Sequence, residues 1–457
     1  MKLLLIPLTA ALLLAGCANL AVPEPHAMPV VPTNFAGPQA AGPSANAPAA
    51  WWKAFADPQL DALTEAALLH NTSIQQAGAR LAQARALLRN ADAARLPQIG
   101  VSASSGRQGG DFNRSQATAG TLNQLRLDAS YEVDLFGKLS KTSDAAALDA
   151  QSREALLQST RLLVQSEVAQ SYFALRAMDA ERALMRETVE AYQDTLALTQ
   201  KRYAAGDIAE LDLARVRTEV AATQSQALEL DRRRAEIEHA LALLVGQLPS
   251  QLAVKEGYWS ESLPMIPAGV PSRMLERRPD VLAAQASFKA AQARVGVAQT
   301  AWFPNLSLTA SGGGASPELS DLFKASAGLW GVNALLSLPL FDGGRREAGV
   351  ANAAAQLDGA AAAYREQVLV AFKEVEDQLS SLQLLGEQAQ VQAQAVASAE
   401  RALALSDTRY RNGLVSQLEL LDARRSELAL RRQALQVRSA QYQSTIGLIK
   451  ALGGGWG

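Results

Sequence analysis

Residues 125–135 read Leu125-Arg126-Leu127-Asp128-Ala129-Ser130-Tyr131-Glu132-Val133-Asp134-Leu135, apolar and polar in strict turn. Successive strand side chains point to opposite faces. Leu125, Leu127, Ala129, Tyr131, Val133 and Leu135 therefore share one face, and Arg126, Asp128, Ser130, Glu132 and Asp134 the other. Immediately downstream, Lys138 to Ala205 contains neither Pro nor Gly. That run predicts a helix of about 68 residues, roughly 100 Å at 1.5 Å per residue. A two-faced strand feeding so long a helix decides the fold class: mixed α/β, mainly α, with helices that need partners along their whole length.

Three more alternating segments accompany the first. Ile99, Val101 and Ala103 alternate with Gly100, Ser102 and Ser104; Leu306, Leu308 and Ala310 with Ser307, Thr309 and Ser311. Trp330, Val332, Ala334, Leu336, Leu338 and Leu340 line one face of the fourth. An apolar face opposite a polar one over about ten residues is the pattern of a transmembrane β-strand, lipid outside and water inside. An ordinary sheet with one solvated face shares that pattern. Four strands cannot close around a lumen, and an open edge in hydrocarbon leaves backbone groups unsatisfied. A membrane sheet of this size requires several chains to share one barrel. Gly106–Thr121 and Gly312–Gly328, rich in glycine and polar residues, are expected as loops outside the cell.

The chain nearly repeats itself. Arg202-Tyr203-Ala204-Ala205-Gly206 recurs as Arg409-Tyr410-Arg411-Asn412-Gly413, an offset of 207 that also pairs Pro97 with Pro304, Glu167 with Glu374 and Val168 with Val375. So many separated landmarks indicate two structural repeats. The organisation expected is a signal peptide with lipobox over 1–17, a tether over 18–50, repeat 1 over 51–248, a connection over 249–271 and repeat 2 over 272–457. Repeat 1 places strands within 97–136, a long helix at 138–205 and a return helix at 207–246; repeat 2 places them at 304–341, 345–412 and 414–452. Gly349, Gly359 and Gly386 permit bending in the second long helix.

The return helices carry coiled-coil spacing. Leu213, Val216, Val220, Thr223, Ala227, Leu230, Ile237, Leu241 and Leu244 follow three-four intervals, broken at Arg234, and Leu421, Leu428, Leu435, Tyr442 and Ile449 recur every seven. The helices should pair as antiparallel hairpins turning near Gly206 and Gly413, with Gly246 and Gly453 at C-caps.

The N-terminus reads as an address. Lys2 precedes an apolar stretch from Leu3 to Leu14, too short to span a membrane, and Leu14-Ala15-Gly16-Cys17 resembles a lipobox whose cysteine is acylated after cleavage. Cys17 is the only cysteine, so no intrachain disulfide is possible and the expected modification is an N-terminal lipid. Pro23, Pro25, Pro29, Pro32, Pro38, Pro43 and Pro48 among small residues make 18–50 an extended tether.

Other chemistry finds little support. The net charge of -2 supplies no basic field for nucleic acid. His26, His70 and His239 lie far apart and suggest no metal cluster. Gly312-Gly313-Gly314 lacks the Lys-Ser/Thr ending of a phosphate loop. Arg232-Arg233-Arg234 reads as a solvated helix face. No nucleophile motif is visible, and no cofactor beyond the lipid is expected.

In order along the chain stand Trp51-Trp52-Lys53 with Phe55 and Asp57-Pro58, Arg277-Arg278-Pro279-Asp280-Val281, and Phe303-Pro304-Asn305-Leu306-Ser307-Leu308. Pro339-Leu340-Phe341-Asp342-Gly343-Gly344-Arg345, Leu420-Leu421-Asp422-Ala423-Arg424 and Lys450-Ala451-Leu452-Gly453-Gly454-Gly455-Trp456 follow. This ordered set resembles the outer-membrane efflux factors of the TolC/OprM kind, most of all the NodT-type efflux lipoproteins. The resemblance implies a homotrimer with a shared twelve-stranded barrel, four strands per chain, continued by a periplasmic coiled-coil tunnel of α-helices. It implies a passive duct in the bacterial outer membrane that exports drugs or other small molecules, partnered by a periplasmic adaptor (membrane fusion) protein and an inner-membrane pump of the resistance-nodulation-division type. Ala18, a residue other than Asp after the lipidated cysteine, implies outer-membrane sorting.

The same resemblance assigns roles to residues. Gly206, Asp207 and Ile208, with Gly413, Leu414 and Val415, match the adaptor-docking tips. Glu419 and Asp422 match positions that ring the tunnel's narrow end; read without the family they are an exposed acidic pair balanced by Arg424 and Arg425. Asp212 and Tyr410 match positions that link neighbouring helices when the gate is closed. Val415 stands where a family member has Arg, which departs from the salt-linked gate. Two rival functions remain: a duct for type I protein secretion, which the lipobox disfavours, and a scaffolding lipoprotein without a pore.

Overall fold

The computed structural model describes residues 32, 35, 50–108, 120–257, 263–267 and 271–454. Its helices are α1 (Pro58–His70), α2 (Thr72–Ala93), α3 (Lys138–Ala204), α4 (Glu210–Leu244), α5 (Pro271–Arg277), α6 (Pro279–Gln299), α7 (Arg345–Arg411) and α8 (Gln417–Ala451). The strands are β1 (Gln98–Gln108), β2 (Gly120–Val133), β3 (Asn305–Ser316) and β4 (Gly328–Ser337). The long helices α3 and α7 each run 67 residues, and α7 passes Gly349, Gly359 and Gly386 without interruption. Among the described residues no helix is long and apolar enough to cross a membrane. The described residues divide into two compact units, the first comprising Arg80–Glu154 and Ala283–Arg365, the second drawn from Val30–Ala79, Ala155–Leu282 and Glu366–Gly457.

The first unit holds the sheet. Its strands are antiparallel in the order β1-β2-β3-β4, so β1 and β4 are edges. The register aligns Val101, Leu127, Gly312 and Trp330 in one cross-strand row and Ile99, Ala129, Ala310 and Val332 in the next. These rows form a continuous apolar face, on which Ile99 (71%), Val101 (72%), Trp330 (85%) and Val332 (74%) are exposed. The opposite face carries Ser102 donating to Asp128 at 2.8 Å and Arg126 within 3.6 Å of that carboxylate.

Four strand readings change. Gly106–Gln108 and Gly120–Thr121, expected in a loop, pair with β2 and β1 respectively and extend the first hairpin. Asp134 and Leu135 lie beyond β2, because the Asp134 carboxylate accepts from the Leu139 and Ser140 amides (2.9 and 2.8 Å) and so caps α3. Leu338 and Leu340 lie beyond β4, where Pro339 offers no N–H to a ladder. Gly312–Ser316, expected in a loop, is the last part of β3. At the helix-proximal end of the sheet, Phe136 stacks on Phe303 (4.7 Å between centroids), and Arg346 lies over the Trp302 ring while bonded to Asp342 at 2.7 Å.

The second unit is built from helical hairpins around an aromatic core. Phe55 packs on Phe173 (4.9 Å) and Phe173 on Tyr442 (4.5 Å), beside the fully buried Trp51. Leu421, Tyr442 and Ile449 of the heptad series are buried, whereas Leu428 and Leu435 are half-buried. Arg234 corrects the solvated-face reading of its triplet. Arg232 and Arg233 are exposed, but the side chain of Arg234 is 12% exposed, paired to Asp179 at 2.7 Å and Glu238 at 2.9 Å. It also donates to the Val254 carbonyl, pinning the inter-repeat connection. Within the segment read as a tether, Phe35 is buried and 6.2 Å from the Phe372 ring.

The offset of 207 also organises hydrogen bonds. Asn71 donates to the Leu244 carbonyl (2.8 Å), and Arg278, 207 residues later, donates to the Ala451 carbonyl (3.1 Å). Gly246 lies against the His70 carbonyl and Gly453 against that of Arg277, again 207 apart at each member. Each return helix is thus tied at its C-terminus to the junction between two shorter helices.

Candidate functional site

The residues assigned to tip and gate all fall in the second unit, at the turns of its two hairpins. Each turn is a left-handed glycine closed by a pair of backbone bonds. Gly206 (φ 80°) donates to the Tyr203 carbonyl and Asp207 to that of Arg202; Gly413 (φ 72°) donates to Tyr410 and Leu414 to Arg409. That pairing is the Schellman cap, which satisfies carbonyls at the end of a helix. Open space surrounds both glycines.

Beyond the glycines the two tips differ. Leu414 is 68% exposed, whereas Ile208 and Val415 are half-buried. Leu211 and Leu418 add exposed apolar surface on the first turns of α4 and α8. Ser416 accepts from the Glu419 amide and caps α8, while Ala209 gives α4 no side-chain cap.

Glu419 and Asp422 share a helix face and are both exposed. Glu419 has Arg409 at 3.4 Å, and Asp422 has Arg425 at 3.6 Å. Arg424 turns instead to Asp407 (3.4 Å). The partial neutralisation of the acidic pair therefore comes from Arg409 and Arg425. Asp212 pairs with Arg215 at 3.6 Å. Tyr410 is buried under the Arg202 guanidinium, 5.4 Å from the ring, and its hydroxyl has no hydrogen-bond partner among the described residues. Within one chain, then, Asp212 and Tyr410 are not joined to each other.

The sequence reading passed over the bonds that tie one hairpin to the other. Gln417 is buried and donates to the Thr199 hydroxyl at 3.0 Å. Arg425 pairs with Glu219, Arg431 with Glu187 (3.3 Å) and Arg432 with Glu181. The hydrogen bond that Arg425 donates to Glu219 holds its guanidinium above its ordinary range. Between these links Tyr192, Val216, Val220 and Leu421 form a buried cluster, and burial pushes the Tyr192 phenol up. The arrangement can hold two hairpins in register and present a small apolar tip with an acidic first turn. Among the described residues there is no cluster of His, Cys, Asp and Glu suited to a metal ion.

Comparison with known proteins identifies the class. The family model for outer membrane efflux protein matches twice, over residues 63–247 and 270–454, in agreement with two repeats. The cation efflux system protein CusC of Escherichia coli O6:H1 is 35% identical, the alignment covering 99% of this chain and 98% of that protein. The probable outer membrane lipoprotein SilC of Salmonella typhimurium is 31% identical over 100% of this chain and 99% of its own length. Among solved structures, the CmeC outer membrane channel of Campylobacter jejuni superposes with a TM-score of 0.89 at 26% identity, covering 96% of this chain and 94% of that one. The chain accordingly belongs to the outer membrane efflux protein family and is an outer-membrane component of an efflux system.

Proposed function

We infer that three copies of this chain form a passive duct, each contributing four strands to a twelve-stranded barrel and its hairpins to a periplasmic tunnel. The observation that carries this is the four-stranded sheet with an apolar face, a polar face and two open edges. In hydrocarbon such edges must be paired, and neighbouring copies supply β1 for β4. The hairpin tips at Gly206–Ile208 and Gly413–Val415 dock a periplasmic adaptor, and an inner-membrane pump of the resistance-nodulation-division type supplies the energy. The relative CusC is named for efflux of cations and others for efflux of antibiotics, toluene or solvent, and the chain's own lumen face, lined by serine, threonine and paired charges, suits small hydrated solutes in general. No catalytic step is part of this reading.

Glu419 and Asp422 give the duct its selectivity at the tips. Three chains bring six carboxylates around the axis, an arrangement that attracts cations and binds divalent ones more tightly. Purified protein in planar bilayers should conduct, and divalent cations should block it; the Glu419→Ala/Asp422→Ala variant should need about tenfold more cation for half-block, an energy difference of about 1.4 kcal/mol. Equal block in both proteins would remove the acidic ring. Absence of conductance in the parent would instead favour the scaffolding alternative.

Cys17, which lies outside the described residues, is the proposed lipid attachment point. Cys17→Ser should abolish the acyl mass on the mature N-terminus in intact-protein mass spectrometry. Retention of that mass would place the lipid elsewhere.

A further inference from the structure

The connection between β3 and β4 does not stand off from the sheet. It folds back over the apolar face at the end far from the helices. The Asn123 side chain, buried, donates to the Pro317 carbonyl (2.9 Å), and the Ser105 hydroxyl donates to Asn123 (2.7 Å). Both residues belong to the same face as Val101, Leu125 and Leu127, because strand parity repeats every second residue. On the neighbouring row Gly314 lies directly beneath the connection. A Cβ there would run into the Leu322 carbonyl oxygen and come within 3.7 Å of that of Ala327. Glycine at 314, and at 328 where a Cβ would lie 3.3 Å from the Ala325 carbonyl oxygen, clears the floor on which this flap rests.

The flap is amphipathic in a specific way. Leu319 is 70% exposed and Phe323 82%, while Ala327 is buried against the sheet and Lys324 is exposed, 2.7 Å from Asp321. Between flap and sheet runs a groove of about 420 Å³, lined by Val101, Leu125, Leu127, Leu322, Phe323 and Lys324. Its apolar walls continue without a break into the exposed rows of Trp330 and Val332.

Depth identifies the occupant. Gly314 is eight residues along β3 from Leu306, the row nearest the helices, about 26 Å at 3.3 Å per residue. At a strand tilt of about 40° this is about 20 Å along the membrane normal, close to the outer boundary of an apolar band about 25 Å tall, so the connection beyond it reaches head-group depth. We propose that residues 317–327 form a lipid-engaging lip on the outside of the barrel: Leu319 and Phe323 insert into the external leaflet, an acyl chain lies in the groove, and Lys324 meets an anionic head group. This rests on the barrel reading above and adds a surface that contacts the membrane through a connection and not through a strand. The chemistry is that of interfacial anchoring, where an aromatic ring sits at head-group depth beside a cation.

The test uses spin labels on the full-length protein in vesicles of phosphatidylethanolamine with phosphatidylglycerol, one label per variant: Phe323→Cys, Val332→Cys and Asn333→Cys, each with Cys17 carried as in the parent. Accessibility to oxygen, which partitions into lipid, is compared with accessibility to a water-soluble nickel complex. Labels at 323 and 332 should both favour oxygen several-fold over the label at 333, which faces the polar side. Replacing Lys324 by Glu should lower the oxygen preference at 323 and leave that at 332 unchanged. Lipid contact at 332 with water contact at 323 overturns the lip alone. A label at 323 shielded from both reagents shows a neighbouring copy on the flap and also overturns it. Water contact at 332 overturns the barrel reading and the lip with it.

Discussion

Replacing Arg278 by Ala should destabilise the second unit by about 3–5 kcal/mol, the range found when one partner of a buried ion pair is removed. Arg278 is 3% exposed and is the hub of a closed network. Its guanidinium bonds Asp280 at 2.9 Å and Glu374, and it donates to the Ala451 carbonyl at the end of α8. Gln367 donates to the same Asp280 carboxylate at 2.7 Å. Burial by itself would lower the guanidinium's pKa; the bonds it donates to Asp280 and Glu374 more than offset this and push the pKa up. Alanine leaves two carboxylates facing each other without a cation and the α8 carbonyl without its donor. Repeat 1 shows that the cap alone does not need a charge, since Asn71 makes the same bond to Leu244 and also caps α2 through the Ser73 amide. Arg278→Asn should therefore still lose much of the stability, because Glu374 remains uncompensated. Adding Glu374→Gln should recover about 1–3 kcal/mol, the coupling expected of directly bonded groups. Unfolding midpoints followed by helical circular dichroism in detergent would read both effects. A midpoint for Arg278→Ala equal to the parent's would show that the network contributes no net stability.

That cluster also marks where sequence reasoning stops. The helices, the strands and the two-fold internal repeat were legible because each has a period: two residues for Leu125 to Val133, seven for Leu421 to Ile449, and 207 for the tip glycines. Periods survive in a one-dimensional string. Pairings between positions hundreds of residues apart do not. Arg425 meets Glu219 and Arg432 meets Glu181 across more than 200 residues, and nothing local to either residue specifies its partner. Arg234 was misread for the same reason. Its neighbours Arg232 and Arg233 bond within their own helix, whereas its partner Asp179 lies on α3. The equivalence of Asn71 and Arg278 was hidden differently, by a change of residue type at a conserved geometric position. In the candidate site, the turn glycines and the shared face of Glu419 and Asp422 followed from spacing. The burial of Tyr410 and Gln417, and the pairing of Glu419 with Arg409, depend on how hairpins pack. The lip at 317–327 escaped because a glycine-rich run looks like a loop whether it ends in water or folds onto an apolar wall.

Gly246→Ala should cost at least about 3 kcal/mol, in the tail of single-substitution effects that reflects a named structural conflict. Gly246 follows the end of α4 with φ 73°, a conformation that costs an L side chain about 1–2 kcal/mol. Four glycines, each two residues past the end of a helix, share that conformation, and they differ in what a methyl group would meet. At Gly206 and Gly413 it would meet nothing, so only the backbone term applies, reduced by about 0.4–1 kcal/mol because alanine also restricts the unfolded chain. At Gly453 it would lie 3.3 Å from the Arg277 carbonyl, a contact relieved by a small shift. At Gly246 it would lie 2.4 Å from the His70 carbonyl oxygen and 2.8 Å from its carbon. His70 ends α1, and the next residue, Asn71, bonds Leu244. The carbonyl cannot retreat without breaking the bond that ties α4 to this junction. The expected order of destabilisation is therefore 246, then 453, then 206 and 413 together, measured as midpoint shifts for the four alanine variants under one condition. The tip variants should retain trimers and lose only local order, while Gly246→Ala should also reduce the yield of folded protein. A Gly246→Ala variant no less stable than Gly206→Ala would mean that the helix-end junction is loose enough to admit a methyl group, and with it the claim that these junctions hold the hairpins would fall.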